Sequence, residues 1–178
     1  ARETRAVISI DTRKARVAAA ALQAGARLVN AVSFDREMAR VVARAKVPVC
    51  LMHMKGTPAT MQKKPAYADL LGEIISRLEE SVAIAVNAGI LHGKIVVDPG
   101  IGFGKTVEHN LEIIQRLSEL KVLGCPILVG PSRKALIGKI LNLPVAERVE
   151  GTAATVALAI ANGADLIGHN FGGETLQA

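Results

Sequence analysis

The sequence predicts an α/β protein built on a parallel sheet, and three observations predict it. Short apolar, β-branched runs alternate six times with helix-period segments. No tight-turn dipeptide joins one strand directly to the next, so each connection passes through a helix, as parallel pairing requires. Polar residues also stand at the C-terminal ends of several strands: Asp11, Asn30, Asp98 and the loop after Val129. A (β/α)8 barrel of the TIM type points all of these at one mouth, which favours it over an open doubly wound sheet. Six units do not close an eight-stranded ring. Either two N-terminal units are absent or the sheet is open at two edges.

Taken in order, residues 7–10 form a strand ending at Asp11, and a helix over 14–24 stops at Gly25. A strand over 28–30 precedes a helix over 36–45, whose Arg36, Arg40 and Arg44 share one solvated side. A strand over 47–52 opens into a loop carrying His53, Gly56, Thr57 and Pro58. The longest helix, 69–88, puts Leu71, Ile74, Ile75, Leu78, Val82, Ala85 and Val86 on one face and ends at Gly89. Next come a strand over 95–97, a helix over 107–120 and a strand over 127–129. Ser132 is expected to cap a helix running to Leu141, which Pro144 breaks. A helix from 151 to 161 and a strand over 166–167 complete the pattern.

The 178 residues suffice for one domain, 1–178, and half of them are hydrophobic. No apolar run reaches the length of a membrane span, and Arg2, Glu3, Thr4 and Arg5 give no sign of a leader. Cys50 and Cys125 lack partners at metal-ligand spacing and read as reduced thiols of a cytoplasmic protein. The net charge of +6 raises nucleic acid as a partner, but aromatics are 2% of the chain, so base-stacking platforms are nearly absent. A small anionic substrate fits better, and most of the charges are solvated helix faces.

The most informative stretch is 94–110. A short buried strand delivers Asp98 where α/β proteins bind ligands, and Gly100, Gly102 and Gly104 then let backbone approach a flat molecule closely. Gly104-Lys105-Thr106 does not make a phosphate loop, because Pro99 stands where that motif needs its first glycine. Nor do the glycines follow the G-x-G-x-x-G spacing of a dinucleotide site. From these residues alone Asp98 is either a ligand-binding carboxylate or a cap for the next helix. Asp11 before Thr-Arg-Lys has the same two readings.

Five stretches, Ile8-Ser-Ile-Asp-Thr-Arg-Lys14, Val29-Asn-Ala-Val-Ser33, Leu51-Met-His-Met-Lys-Gly-Thr-Pro58, Val97-Asp-Pro-Gly-Ile-Gly-Phe103 and Gly130-Pro-Ser-Arg-Lys134, occur in this order. Together they resemble the dihydropteroate synthase family over essentially the whole chain. The resemblance implies a (β/α)8 barrel of which this chain holds strands three to eight. It implies a homodimer that joins 7,8-dihydropterin pyrophosphate to p-aminobenzoate, giving dihydropteroate and pyrophosphate with Mg²⁺. It assigns Asp98 and Lys134 to catalysis. Asp11, Asn30, Met52, Asp98 and Lys134 fall to the pterin, and Phe103, Ser132 and Arg133 to the aminobenzoate. No metal ligand falls on this chain; those of Mg²⁺ are expected mainly before residue 1.

A pterin offers adjacent N–H donors that one carboxylate accepts as a pair, which suits Asp98, while Asn30 supplies both donor and acceptor. The chain departs from the family in two places. Gly168-His169-Asn170 replaces the Arg-x-His that holds pyrophosphate, leaving His169 for that work, and Ala135 stands where many relatives have Ser. Two other readings follow: a non-catalytic pterin-binding module, and a methyltetrahydrofolate-dependent methyltransferase, which the Ser132-Arg133-Lys134 stretch disfavours. His92 and His109 read as solvated.

Overall fold

A computed structural model of the chain describes residues 6–56, 61 and 65–168. Six strands alternate with six helices among them: β1 (Ser9–Thr12), α1 (Ala15–Gln23), β2 (Leu28–Ala31), α2 (Arg36–Ala45), β3 (Val49–Met52), α3 (Leu70–Asn87), β4 (Ile95–Asp98), α4 (Val107–Gln115), β5 (Leu128–Val129), α5 (Ala135–Leu141), α6 (Val149–Ala161) and β6 (Leu166–Ile167).

Strands β1 to β4 pair in sequence order, all parallel, as do β5 and β6. A parallel bridge between Val97 and Ile127, with the Val97 amide donating to the Pro126 carbonyl at 2.9 Å, joins the two groups. The order never reverses, and crossovers between parallel strands keep one hand, so every helix lies on the same side. An open doubly wound sheet needs such a reversal. This is therefore an arc of a barrel, helices outside, as the polar strand ends predict.

The burial pattern confirms which face is which. Val29, Ala31, Val49, Leu51, Ile95 and Val97 are fully buried; Asn30 on β2 and Val96 on β4, between them, are less buried, while Cys50 on β3 is buried on the other face as well. They form the layer beneath the helices, packed with Met38 and Val42 of α2 and Leu71, Ile74 and Leu78 of α3. The opposite face of the same strands is the barrel's interior.

Local chemistry sets the helix ends. Asp35 accepts the Met38 amide at 2.8 Å to start α2, and Lys46, left-handed at φ 56°, stops it. Asp69 accepts the Gly72 amide at 3.1 Å to start α3. Arg36, Arg40 and Arg44 are exposed, as expected.

Several expectations are corrected. The helix expected over 107–120 ends at Gln115, and residues Leu117–Leu123 form a 3-10 helix. Leu117 and Leu120, both fully buried, lie three apart and eclipse on that tighter turn, so one face can bury both. Val86 is 44% exposed, since the fully buried Ala85 beside it takes the inward direction. Ser132 does not cap α5, which begins after Lys134 with no side-chain cap.

Candidate active site

Register puts the candidate residues on one face. Asp11 pairs with Asn30, Asn30 with Cys50 and Cys50 with Val96. Side chains alternate along a strand, so Asp98, two beyond Val96, and Met52, its register partner, share that face. It is the face away from the helices. Asp11, Asn30, Met52 and Asp98 thus converge at the C-terminal ends of four adjacent strands.

Asn30 Nδ2 donates to Asp11 Oδ2 at 3.1 Å, while Asn30 Oδ1 is buried with no hydrogen-bond partner. Buried acceptors are rarely left so, and an orphan at a strand mouth marks where a ligand donor fits. The cap readings of Asp11 and Asp98 both fail. Lys14 occupies the N-cap position of α1, its amide held by Thr12 Oγ1 at 3.1 Å. Thr106 caps α4 in a reciprocal box with His109. Asp98 instead accepts the Gly100 amide through Oδ1 at 2.7 Å.

The glycine loop serves the protein more than the ligand. A Cβ on Gly100 would collide with the His53 carbonyl oxygen, and one on Gly104 with the Lys55 backbone. Both glycines have positive φ, 71° and 65°. Their absent side chains let the loop after β4 lie directly on the loop after β3, where the His53 amide also donates to the Asp98 carbonyl at 2.9 Å. Gly102 meets the stem of Lys134, whose Cδ would stand 3.2 Å from a Cβ there. Asn110, buried on α4, accepts the Gly102 amide at 2.7 Å and donates to the Thr106 carbonyl at 2.5 Å. Tyr67 closes the far side, its hydroxyl donating to the Gly104 carbonyl at 2.8 Å.

Lys134 enters from the start of α5. Its Nζ donates to the Ile101 carbonyl and lies 4.7 Å above the Phe103 ring. It is not an ordinary solvated lysine. Arg133, before it, is left-handed at φ 48°. The Arg133 amide donates to Thr152 Oγ1 at 3.0 Å, and Arg148 donates to the Arg133 carbonyl at 3.1 Å and the Leu143 carbonyl at 3.0 Å. Arg148 and Thr152 therefore hold the Ser132–Lys134 turn in place. Ser132 is half-buried beside them.

Electrostatics follow from burial. Asp98 is pushed above the usual carboxylate range by desolvation, opposed by the Gly100 amide, Lys134 and Lys105. Burial lowers Lys134, and Asp98 opposes it. Lys105, buried and 3.0 Å from His53 Nδ1, falls to about 7, chiefly by desolvation. His53 falls to about 3 for the same reason, with Lys105 adding to it. Burial, with Asp98 and Asp11 close by, pushes the Cys50 thiol up.

These shifts imply a pH dependence of stability. Between about pH 7 and 9 the unfolded chain keeps a proton on Lys105 that the folded chain has lost, so stability rises with pH, by at most about 1.4 kcal/mol per pH unit. Lys134 adds to the rise. Above the ordinary thiol value of 9.0 the sign reverses for Cys50, which the fold keeps protonated. Urea unfolding of the full-length protein at intervals from pH 7 to 9 checks this; a flat or falling profile contradicts it.

Of the residues expected at the site, Asp11, Asn30, Met52, Asp98, Phe103 and Lys134 are brought together, with Ser132 and Arg133 on the turn that carries Lys134. His169 lies outside the described residues, as do Thr57 and Pro58. His109 is not solvated: its Nδ1 accepts the Thr106 amide at 3.2 Å, and its ring stands edge-on to Tyr67 at 5.1 Å. His92 is exposed, with Nε2 3.6 Å from the sulfur of Cys125. Sequence reasoning missed Lys105, Asn110, Tyr67 and Arg148. Their partners are distant in sequence or are backbone carbonyls, so no spacing announces them, although a lysine at the end of a rejected phosphate motif is a position worth asking about.

Comparison with known proteins agrees with this geometry. A family model described as pterin binding enzyme matches residues 1–168. A dihydropteroate synthase of Synechocystis sp. (strain ATCC 27184 / PCC 6803 / Kazusa) is 51% identical over 164 residues, covering 90% of this chain and 57% of that protein. Two crystal structures of dihydropteroate synthase from Thermus thermophilus, in complex with 6HMPPP and with 4-aminobenzoate, superpose with TM-scores of 0.86 and 0.87 at 41% identity. The alignments cover 92% of this chain in both cases, and 66% and 64% of those chains. The chain thus spans between about half and two thirds of the length of these three proteins. The family match runs through every described element that carries a candidate residue, from β1 to the start of α5, and on that extent this chain belongs to the pterin-binding enzyme family.

Proposed function

We propose that the protein carrying this chain is a dihydropteroate synthase, joining 7,8-dihydropterin pyrophosphate to p-aminobenzoate and releasing pyrophosphate. The observation that carries the reading is the pairing of Asp98 with Asn30 on one interior face. Asp98 offers a carboxylate to adjacent pterin N–H donors, and the unpartnered Asn30 Oδ1 offers a further acceptor. Asp11 orients Asn30 by accepting a hydrogen bond from its Nδ2. Met52 supplies an apolar wall, its side chain lying against Gly100.

Lys134 exchanges the Ile101 carbonyl for an acceptor on the pterin ring and offsets charge as pyrophosphate leaves. Phe103 and the turn at Ser132 and Arg133 line the aminobenzoate position. With Ala135 after the lysine, the amine's carboxylate relies on backbone N–H groups there. His169 is assigned to the departing pyrophosphate.

Mg²⁺ belongs to this reading as a companion of the pyrophosphate. Among the described residues no group of three or more His, Cys, Asp or Glu converges to hold a metal. A hard cation bound mainly by phosphate oxygens needs only one or two carboxylates, so the task of these residues is to hold the pterin. We also propose a homodimer and a cytoplasmic location. What supports the dimer is α6, which exposes the apolar side chains of Val149, Leu158 and Ile160.

A pyrophosphate-release assay on the full-length protein tests the proposal. Release is expected to require both substrates and to yield dihydropteroate. Pterin binding without turnover would favour the non-catalytic module, and methyl transfer from methyltetrahydrofolate the methyltransferase.

A further inference from the structure

Lys105 is 3% exposed, the one cationic side chain of Lys or Arg type that is fully buried among the described residues. Its Nζ donates to the Phe103 carbonyl at 3.0 Å and lies 3.0 Å from His53 Nδ1. No direct ion pair accompanies it among the described residues. A buried ammonium held only by neutral acceptors is costly, and a leucine or methionine would fill the same space more stably. Its charge therefore calls for a use that stability does not explain.

The use is visible in what it faces. Asp98 sits on the other side of the same loop, and the two act on each other electrostatically. The His53 amide bonds the Asp98 backbone carbonyl while the His53 ring holds the Lys105 amine, so His53 ties the end of β4 that carries Asp98 to the buried amine. Burial, the largest influence, and Asp11 from β1 oppose the Asp98 anion; the Gly100 amide, Lys134 from the start of α5 and Lys105 favour it. Burial first, then Lys105, Arg77 of α3 and Lys55, keep His53 neutral against Glu73, which leaves Nδ1 able to accept. Lys134 cannot act as a fixed charge if it turns to the ligand. Lys105, locked at both acceptors and out of the ligand's reach, can.

We propose that Lys105 is a positioning residue for pterin recognition: clamped between His53 Nδ1 and the Phe103 carbonyl, its ammonium is a fixed counter-charge behind Asp98 that keeps this carboxylate ionised and able to accept two ligand N–H bonds. The inference rests on the pterin reading above. At low pH Asp98 carries a proton, which removes one acceptor; as the pH rises that proton leaves to solvent, while Lys105 keeps its own up to about pH 7.

The test compares the full-length wild type with Lys105→Met and Lys105→Gln, titrating 6-hydroxymethylpterin calorimetrically from about pH 5 to 9. Wild-type affinity is expected to fall as pH drops and Asp98 protonates. In both variants the fall should begin about one pH unit higher, the size of effect that a nearby opposite charge exerts. Near pH 9, where wild-type Lys105 has itself lost its proton, the three affinities should converge to within about threefold. A parallel reading needs no ligand: the ¹³C shift of the Asp98 carboxyl should titrate at higher pH in Lys105→Gln than in wild type.

Failure of the wild type to bind the pterin at any pH sinks the pterin reading, whereas an unmoved Asp98 midpoint sinks this inference alone. Affinities lowered by one constant factor at all pH, or loss of the fold in both variants, would make Lys105 a structural tie and overturn it. Removing a buried charge is expected instead to leave the melting temperature equal or higher.

Discussion

Asp98→Asn is expected to abolish measurable pterin binding while the full-length protein still folds. The amide keeps the carboxylate's shape, and its Oδ1 can still accept the Gly100 amide that now bonds Asp98 at 2.7 Å. The other oxygen becomes an NH₂ donor facing a ligand N–H donor. One charge-assisted bond is lost and a buried donor is left unpaired, together costing about 2–5 kcal/mol, more than tenfold in affinity. Stability changes little. Burial already disfavours the Asp98 anion, so the amide removes that cost, while Lys134 and Lys105 lose the carboxylate that eases theirs. Calorimetric titration of a pterin reads the effect against melting curves of both proteins. Equal affinities would place the ligand elsewhere and leave Asp98 a stabiliser of its own loop.

Gly100→Ala is expected to damage both fold and site. Its Cβ would drive into the His53 carbonyl oxygen, a backbone atom that no rotamer change can move aside. The residue also sits at φ 71°, where an L side chain is strained. Overpacking and strain together should cost about 2–4 kcal/mol. Relief requires the loop after β4 to lift from the loop after β3, which pulls Asp98 away from its Gly100 amide and weakens pterin binding too. Gly93→Ala is the control, because nothing lies within 4 Å of a Cβ there. Comparable urea midpoints for the two variants would show that the loops are not in the contact described.

Much of the architecture was legible because it is written in local pattern. Alternation of short apolar runs with helical periods marked six parallel units, and β-branched Ile95, Val96 and Val97 announced a strand that ends on Asp98. Gly25 and Gly89 marked where the first and third helices stop, by a rule that needs only neighbouring residues. The convergence of Asp11, Asn30 and Asp98 was likewise accessible, since parallel strands place their C-terminal ends together.

Where local pattern offered two outcomes, tertiary contacts chose between them. Lys14 stands at the N-cap of α1 and Thr106 caps α4, so neither Asp11 nor Asp98 is a cap and both carboxylates are left for the barrel's interior. The glycines that suggested room for a flat ligand instead admit the His53 and Lys55 backbone and the Lys134 stem. Ser132 proved to lie on a turn fixed by Arg148 and Thr152, which reach it only after α5 has run its length and the chain has turned back.

The sequence by itself determined the order of elements, the parallel sheet and the side chains delivered to the mouth of the barrel, because periodicity and caps act over a few residues. Only the tertiary structure decided that Asn30 Oδ1 is left without a partner, that Lys105 is buried against His53 and that Lys134 lies over Phe103. Each of those depends on loops from different strands pressing on one another. Contact across 52 residues, as between His53 and Lys105, leaves no periodic trace in the chain, and the desolvation that shifts Asp98, Lys105, Lys134 and His53 exists only once the loops have closed over them.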